Sequence, residues 1–285
     1  MVRAFNALGH VVCVRTNSEE FAAVTARLLR SFESADGHGP EITFTVLAAG
    51  DPSQPHRFYR GVELIRETYQ FWKLMRLLEW QLDVFLARTD LEHVLLHSGS
   101  VAVNGGGILI PGSSHAGKSS LTLSLLLQGA AYYSDEISAV GNDSGELTAF
   151  PKPLSCRDPS MFPEVAQDHW FGPRSDGDGI EPEADGWKQV WFTHADDVRR
   201  GSVGTPVPIT HVIFPDRGNG HSPSLEPMPK TEVMQNLLRH SVNFRVVRER
   251  GFRRLARVVE RAQCFRLRGN GLDATSRLVM DELSA

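Results

Sequence analysis

Apolar positions along the chain recur with two periods, and these divide it into strands and amphipathic helices. Residues 11–14, Val-Val-Cys-Val, read as a buried strand, and 41–47 alternate with the two-residue period of a half-buried one. Residues 58–65 read as a third. Between the first two, Phe21, Val24, Leu28 and Leu29 fall at helical spacing, and Thr16 with Glu19 three positions on predicts a capping box. Trp72, Leu74, Leu77, Leu78, Leu82 and Phe85 place an apolar stripe on a long helix over 71–86. These aromatics are assigned to core rather than to a cofactor.

From Leu91 the pattern changes. Strands at 94–97 and 100–103 flank a Ser98-Gly99 turn, and Asn104-Gly105 is a strong hairpin signal. Residues 108–110 form a strand and 121–127 a buried helix, ended by Gln128-Gly129. Residues 131–136 are a strand with Asp135 and Glu136 at its carboxyl end. A hairpin follows over 137–150. Strands at 190–192, 211–214 and 264–267 and helices at 231–240, 252–261 and 272–283 complete the pattern. The expected organisation is an N-terminal α+β unit over 1–90 and an α/β catalytic unit over 91–285. The Gly-, Pro- and acid-rich stretch 172–187 is expected to be a mobile loop and a candidate lid. Asp176, Asp178 and Glu181 within it lack the ligand spacing of a calcium loop.

Composition narrows the function classes. The 285 residues are 41% hydrophobic and 22% charged, with a net charge of -4, which is ordinary globular composition. Nucleic-acid binders carry a strong positive excess, so nucleic acid is not an expected partner. Cys13, Cys156 and Cys264 are far apart with no C-x-x-C pairing, which predicts neither a disulfide framework nor a zinc site and favours a cytoplasmic setting. The first ten residues are too polar for a signal peptide, and no apolar run is long enough for a membrane span.

The chemistry concentrates between the 108–110 strand and the 121–127 helix. Gly112 through Ser119 match the phosphate-loop pattern G-x-x-x-x-G-K-[ST] in the strand–loop–helix context it requires. Gly112 and Gly117 lack a Cβ and permit close backbone approach. The amides of Ser113, Ser114, His115, Ala116, Gly117, Lys118, Ser119 and Ser120 are candidates to cradle phosphates, aided by the helix N-terminus. Lys118 supplies a point charge, and Ser119 a hydroxyl for Mg²⁺. Asp135 and Glu136 add carboxylates for proton transfer and Mg²⁺ binding, provided the strand ends there, because neighbours on a strand face opposite ways. A nucleotide, ATP or GTP, is therefore the expected ligand.

The stretch from His97 to Val140 resembles the catalytic core of the HPr kinase/phosphorylase superfamily. The likeness rests on Leu96-His97-Ser98-Gly99, the loop Gly112 to Ser119, Gly129, and Ser134-Asp135-Glu136. It continues more weakly through Phe150-Pro151-Lys152-Pro153. The chain looks more like the smaller HPr-kinase-related proteins than the full enzyme. The resemblance implies an α/β phosphate-loop kinase core of the HPr kinase/phosphoenolpyruvate carboxykinase-like type that uses ATP and Mg²⁺. It implies a serine kinase with Asp135 as base, His97 and Lys118 as further catalytic residues, and Ser119, Asp135 and Glu136 at the metal. Glu136 stands where the family usually has a second Asp. The family's downstream metal-binding Glu has no clear counterpart here, with Glu181 and Glu183 as substitutes, so no reverse phosphorylase reaction is expected. Arg157 and Arg174 are candidates for the γ phosphate or an acidic substrate, with a solvated surface role the stronger reading of each. The expected acceptor is a protein or peptide serine, for example in a natural-product precursor. The alternatives are a sugar or amino-acid kinase and a non-catalytic nucleotide-binding module. The first ninety residues are candidates for substrate selection or for homo-oligomer formation.

Overall fold

The computed structural model describes residues 1–32, 39–172, 190–216 and 222–284. The chain is a mixed α/β protein that forms two compact units. The first comprises Met1–Leu86 and Trp170–Phe192, and the second Ala87–His169 and Thr193–Ala285. Residues 173–189, which hold most of the anticipated lid with Arg174, Glu181 and Glu183, lie outside the described residues.

The first unit contains β1 (Val2–Ala7), β2 (His10–Thr16), α1 (Glu19–Leu28), β3 (Ile42–Leu47), β4 (His56–Arg60) and β5 (Glu63–Thr68), and α2 (Phe71–Thr89) begins in it. Its sheet runs in the order β1-β2-β3-β4-β5, and only β2 and β3 are parallel. Phe5, Phe21, Phe44, Phe58, Leu74 and Leu78 are buried in its core. Two details depart from the sequence reading. The 58–65 segment is a hairpin, not one strand, because Gly61 takes a left-handed φ of 59° and turns the chain. The cap of α1 is Ser18, whose Oγ accepts from Phe21 N at 3.1 Å. Thr16 still belongs to β2, and its hydroxyl accepts from Ser18 N.

The second unit contains β6 (His93–Val103), β7 (Gly106–Pro111), α3 (Lys118–Leu127), β8 (Ala131–Ser134), β9 (Ile137–Gly141), β10 (Glu146–Thr148) and β11 (Leu154–Cys156). Beyond β12 (Trp191–Thr193) come α4 (Ala195–Val198), β13 (Val207–Asp216), β14 (Ser224–Pro227), α5 (Lys230–His240), α6 (Phe244–Arg261), β15 (Gln263–Arg268) and α7 (Leu272–Ser284). The sheet order is β10-β9-β6-β7-β13-β15-β14, with β8 also paired to β6. A further pairing of β10 with β13 closes the first five of these strands into a ring. The strands β7, β13 and β15 are parallel, so their carboxyl ends lie on one side.

Alternation along β7 covers this sheet on both faces. Leu109 packs with Val94, Val233, Leu237, Leu255 and Val258 under α5 and α6. Ile108 and Ile110 pack with Leu121, Leu125 and Val279 under α3 and α7. The expected Ser98-Gly99 turn is absent, because β6 runs unbroken through it. Gly99 instead makes room for α3, since a Cβ there would meet Thr122 Oγ1 at 2.5 Å. The Asn104-Gly105 hairpin turn does form, with both residues at positive φ.

Candidate active site

Strand register brings the motif residues together. Ser98 on β6 pairs with Pro111 at the end of β7, and its N–H donates to Glu136 O at 3.0 Å. His97, Gly112 and Glu136 therefore meet at one level of the sheet. The strand β8 ends at Ser134, ahead of both acids, so Asp135 and Glu136 escape strict alternation.

The loop from β7 to α3 is tight. A Cβ on Gly112 would meet the Ala116 Cβ at 3.1 Å. His115 and Gly117 take left-handed φ values of 72° and 92°, a backbone that a non-glycine residue such as His115 seldom adopts. No side chain caps α3, whose N-cap is Gly117 itself. Lys118 is buried, and its Nζ donates to Ser113 O at 3.1 Å. Burial pushes its pKa down, against the pull of Glu136 and Asp135.

Asp135 is 1% exposed. Its Oδ2 accepts from Ser155 N at 3.0 Å and from Ser155 Oγ at 3.2 Å, and its Oδ1 lies 3.4 Å from the Tyr132 hydroxyl. Burial raises its pKa and the Glu136 charge adds to the rise, while Ser155, Ser119 and Lys152 pull it back. Desolvation penalises the charged form, so this carboxylate has a stronger appetite for a proton than an exposed one. Glu136 is half-exposed, with its Oε1 3.5 Å from His97 Nε2. His97 is itself held below the usual imidazole range by burial, then by Lys118 and Lys152, against Glu136.

Four neighbours were not assigned roles from the sequence. Tyr132 is buried and also donates to Lys152 O at 2.8 Å. Ser155 and the buried Lys152 attend Asp135. Lys152 carries a faint signal, a lysine between two prolines. His240, at the end of α5, packs edge-on to His97 with ring centroids 6.3 Å apart. It comes from 143 positions downstream of His97, and nothing in its local sequence announces it. Asn243 fixes its corner, because its side chain accepts from Leu95 N and donates to His93 O. Arg157 reaches His115 on the loop, with Nη2 2.6 Å from Nδ1.

The donor set suits Mg²⁺ and a polyphosphate. Ser119, Asp135 and the half-exposed Glu136 offer oxygen donors of the kind Mg²⁺ takes, beside the tightly packed loop that begins at Gly112. Among the described residues no group of three or more His, Cys, Asp or Glu side chains makes a metal cage. Mg²⁺ asks for none, since it commonly takes one or two carboxylates together with phosphate oxygens.

The geometry defines a class: a mixed α/β protein whose glycine-rich strand-to-helix loop places a buried lysine near a buried aspartate. No family model matches the sequence, and no curated protein matches it. A solved structure with a similar chain is the Hpr(Ser) kinase/phosphatase from Coxiella burnetii, at 12% identity and a TM-score of 0.31, covering 67% of this chain and 93% of that one. All three cysteines of the present chain are free, and none of the helices among the described residues is long and apolar enough to cross a membrane.

Proposed function

We propose that this protein is an ATP-dependent kinase that transfers the γ-phosphoryl group to a serine hydroxyl of a protein or peptide. The observation that carries the reading is the pairing of a phosphate-loop pattern with a buried carboxylate. Lys118 and Asp135 are both nearly inaccessible, and Ser119 and Ser155 bond toward the Asp135 carboxylate. Burying charge is costly, and perturbed buried groups beside a cleft mark functional sites more often than structural ones.

In this reading the loop amides of Ser113 to Ser120 and the open end of α3 hold the phosphates, and Lys118 neutralises charge on the transferring group. ATP with Mg²⁺ supplies the phosphoryl group and the metal's charge when bound. Ser119, Asp135 and Glu136 would hold the cation. Asp135, with its raised proton affinity, takes the proton from the acceptor hydroxyl. Ser155 and Tyr132 orient that carboxylate, and His97 with Glu136 borders the acceptor side. Transfer of this kind rests on positioning and charge stabilisation, so few protein groups suffice.

The test is label transfer from γ-labelled ATP to a panel of serine peptides, their serine-to-alanine counterparts, free serine and sugars. The reading expects label on serine peptides, none on the alanine peptides, and loss with Lys118→Ala and Asp135→Asn. Label on a sugar or free amino acid instead identifies a small-molecule kinase. Tight ATP binding with no transfer to any acceptor identifies a non-catalytic module.

A further inference from the structure

Helix α6 holds a charge pattern at odds with the chain that contains it. The whole protein carries a net charge of -4. Within Phe244–Arg261, seven arginines less two glutamates leave +5. The inward face, Val247, Leu255, Val258 and Val259, belongs to the core under the sheet. Three arginines are already engaged: Arg254 is buried against the backbone carbonyls of Asn142 and Asp143, Arg250 pairs with Asp143 at 2.8 Å, and Arg253 pairs with Glu249. Arg245, Arg257 and Arg261 are exposed and have no ion-pair partner among the described residues.

The start of α6 also carries apolar surface. Phe252 is 45% exposed. Phe244, Arg245, Arg248, Glu249 and Phe252 line a shallow depression of about 520 Å³. The helix is interrupted there, because Arg248 takes φ 45° and ψ -125°, and its Nε donates back to Arg245 O. An exposed aromatic beside Arg245 and Arg248, with the neighbouring Glu249 already paired to Arg253, is the makeup of a recognition patch rather than of a plain solvated helix.

Its position gives the patch a use. The α5–α6 corner is sewn to the strand that carries His97: Val242 N donates to Leu95 O at 2.9 Å, and Asn243 bonds both Leu95 N and His93 O. His240, four residues before Phe244, touches His97. The patch therefore begins beside the candidate site and leads away from it. Eight positions of regular helix advance about 12 Å, and the single break at Arg248 leaves the span from Phe244 to Phe252 of that order, which an extended peptide crosses in about four residues.

We infer that the solvent-exposed side of α6 from Phe244 to Arg257 docks an acidic segment of the peptide acceptor, with an apolar residue of that segment on Phe252 and its carboxylates on the exposed Arg245 and Arg257. This rests on the peptide-kinase reading and deepens it: the acidic run lies about four to eight residues from the phosphorylated serine. Charge complementarity selects this occupant. The carboxylates meet guanidinium forks suited to paired contacts, and the attraction weakens as salt rises.

The test uses the full chain and a fluorescein-labelled peptide with one Ser, a short spacer, and a Glu-rich run containing one Leu. Fluorescence anisotropy is read at low and at physiological salt. The expected result is that Arg245→Glu with Arg257→Glu weakens peptide binding about tenfold, that Phe252→Ser weakens it less, and that a Lys-for-Glu peptide binds weakly to the wild type. The neutral pair Arg245→Gln with Arg257→Gln loses affinity in the same direction, which guards against a folding defect in the charge-reversed protein. Binding of a fluorescent ATP analogue stays unchanged in all of them. Equal binding of the Glu and Lys peptides, or wild-type affinity in the charge-reversed variant, overturns the inference. So does tighter binding to phosphatidylglycerol vesicles or to single-stranded RNA than to the acidic peptide. The two readings fail separately. Charge-dependent peptide binding with no phosphoryl transfer removes the kinase and keeps the docking face. Transfer with an unchanged KM in the charge-reversed variant removes the docking face and keeps the kinase.

Discussion

Two helices in this chain begin alike, at the carboxyl end of a strand, and treat their first amides differently. After β2 the chain reaches Ser18, whose hydroxyl accepts from Phe21 N and closes the end of α1. After β7 it reaches Gly117, which has no side chain to offer and sits at φ 92°, and the end of α3 has no side-chain cap. Because the open end carries a glycine, it costs only a few tenths of a kcal/mol relative to a serine cap. The charges around the two ends differ as well. In the first unit the ion pairs are partly exposed couples such as Arg57 with Glu67 and Arg60 with Glu63. Beside α3 the second unit buries Lys118, Asp135 and Lys152. One end spends its hydrogen-bonding capacity on its own stability, and the other leaves it open, which under the proposed function would serve a phosphate.

The sharpest way to break the contrast is at the buried carboxylate. Asp135→Asn should lower label transfer about 10³-fold, the range expected for loss of a general base. The same change should stabilise the protein when nucleotide and divalent ions are absent. The folded-state pKa of Asp135 is raised, so its contribution to stability is fully present below the unfolded carboxylate value and is lost as pH rises through the folded one. The melting-temperature gap in favour of Asp135→Asn should therefore open as pH rises above about 4 and then level off. A flat gap from pH 4 to pH 8 would show that burial does not penalise this charge.

Lys118→Ala should follow, with transfer down about 10²- to 10³-fold, as for removal of one group that stabilises charge in the transition state. Making α3 resemble α1 is the next test. Gly117→Ser forces a side chain into left-handed backbone and offers α3 a hydroxyl of its own, so ATP affinity should fall about tenfold or more. The mirror change, Ser18→Ala, should cost about 1 kcal/mol of stability and leave ATP affinity alone. The smallest effect is at His97. Its folded pKa is lowered, so the stability it contributes is present above its ordinary value near 6.5 and is lost as pH falls through the folded value. His97→Gln should flatten that acid-side loss in a melting series.

What was legible in the sequence was what is contiguous. Gly112 to Ser119 and Asp135-Glu136 carry their chemistry in short runs, and the strands and helix around them are strongly periodic. The residues that surround Asp135 and His97 were not legible in the same way, because Ser155 and His240 arrive through tertiary pairing and have ordinary local surroundings. Ser98-Gly99 misled for a physical reason: a glycine needed for close packing against Thr122 looks the same in sequence as a glycine needed for a turn. The start of α6 was missed because its first turns are mostly charged and its backbone breaks at Arg248, which hides the helical period until Phe252. Thr16 and Ser18 both suit a helix cap, and only the length of β2 decides between them.

The most direct measurement is a calorimetric titration of ATP with Mg²⁺ into the full chain. The account predicts one site per chain, affinity reduced at least tenfold by Lys118→Ala and by Gly117→Ser, and wild-type affinity in Ser18→Ala. Absence of binding to the wild type, or equal affinity in Lys118→Ala, would contradict it.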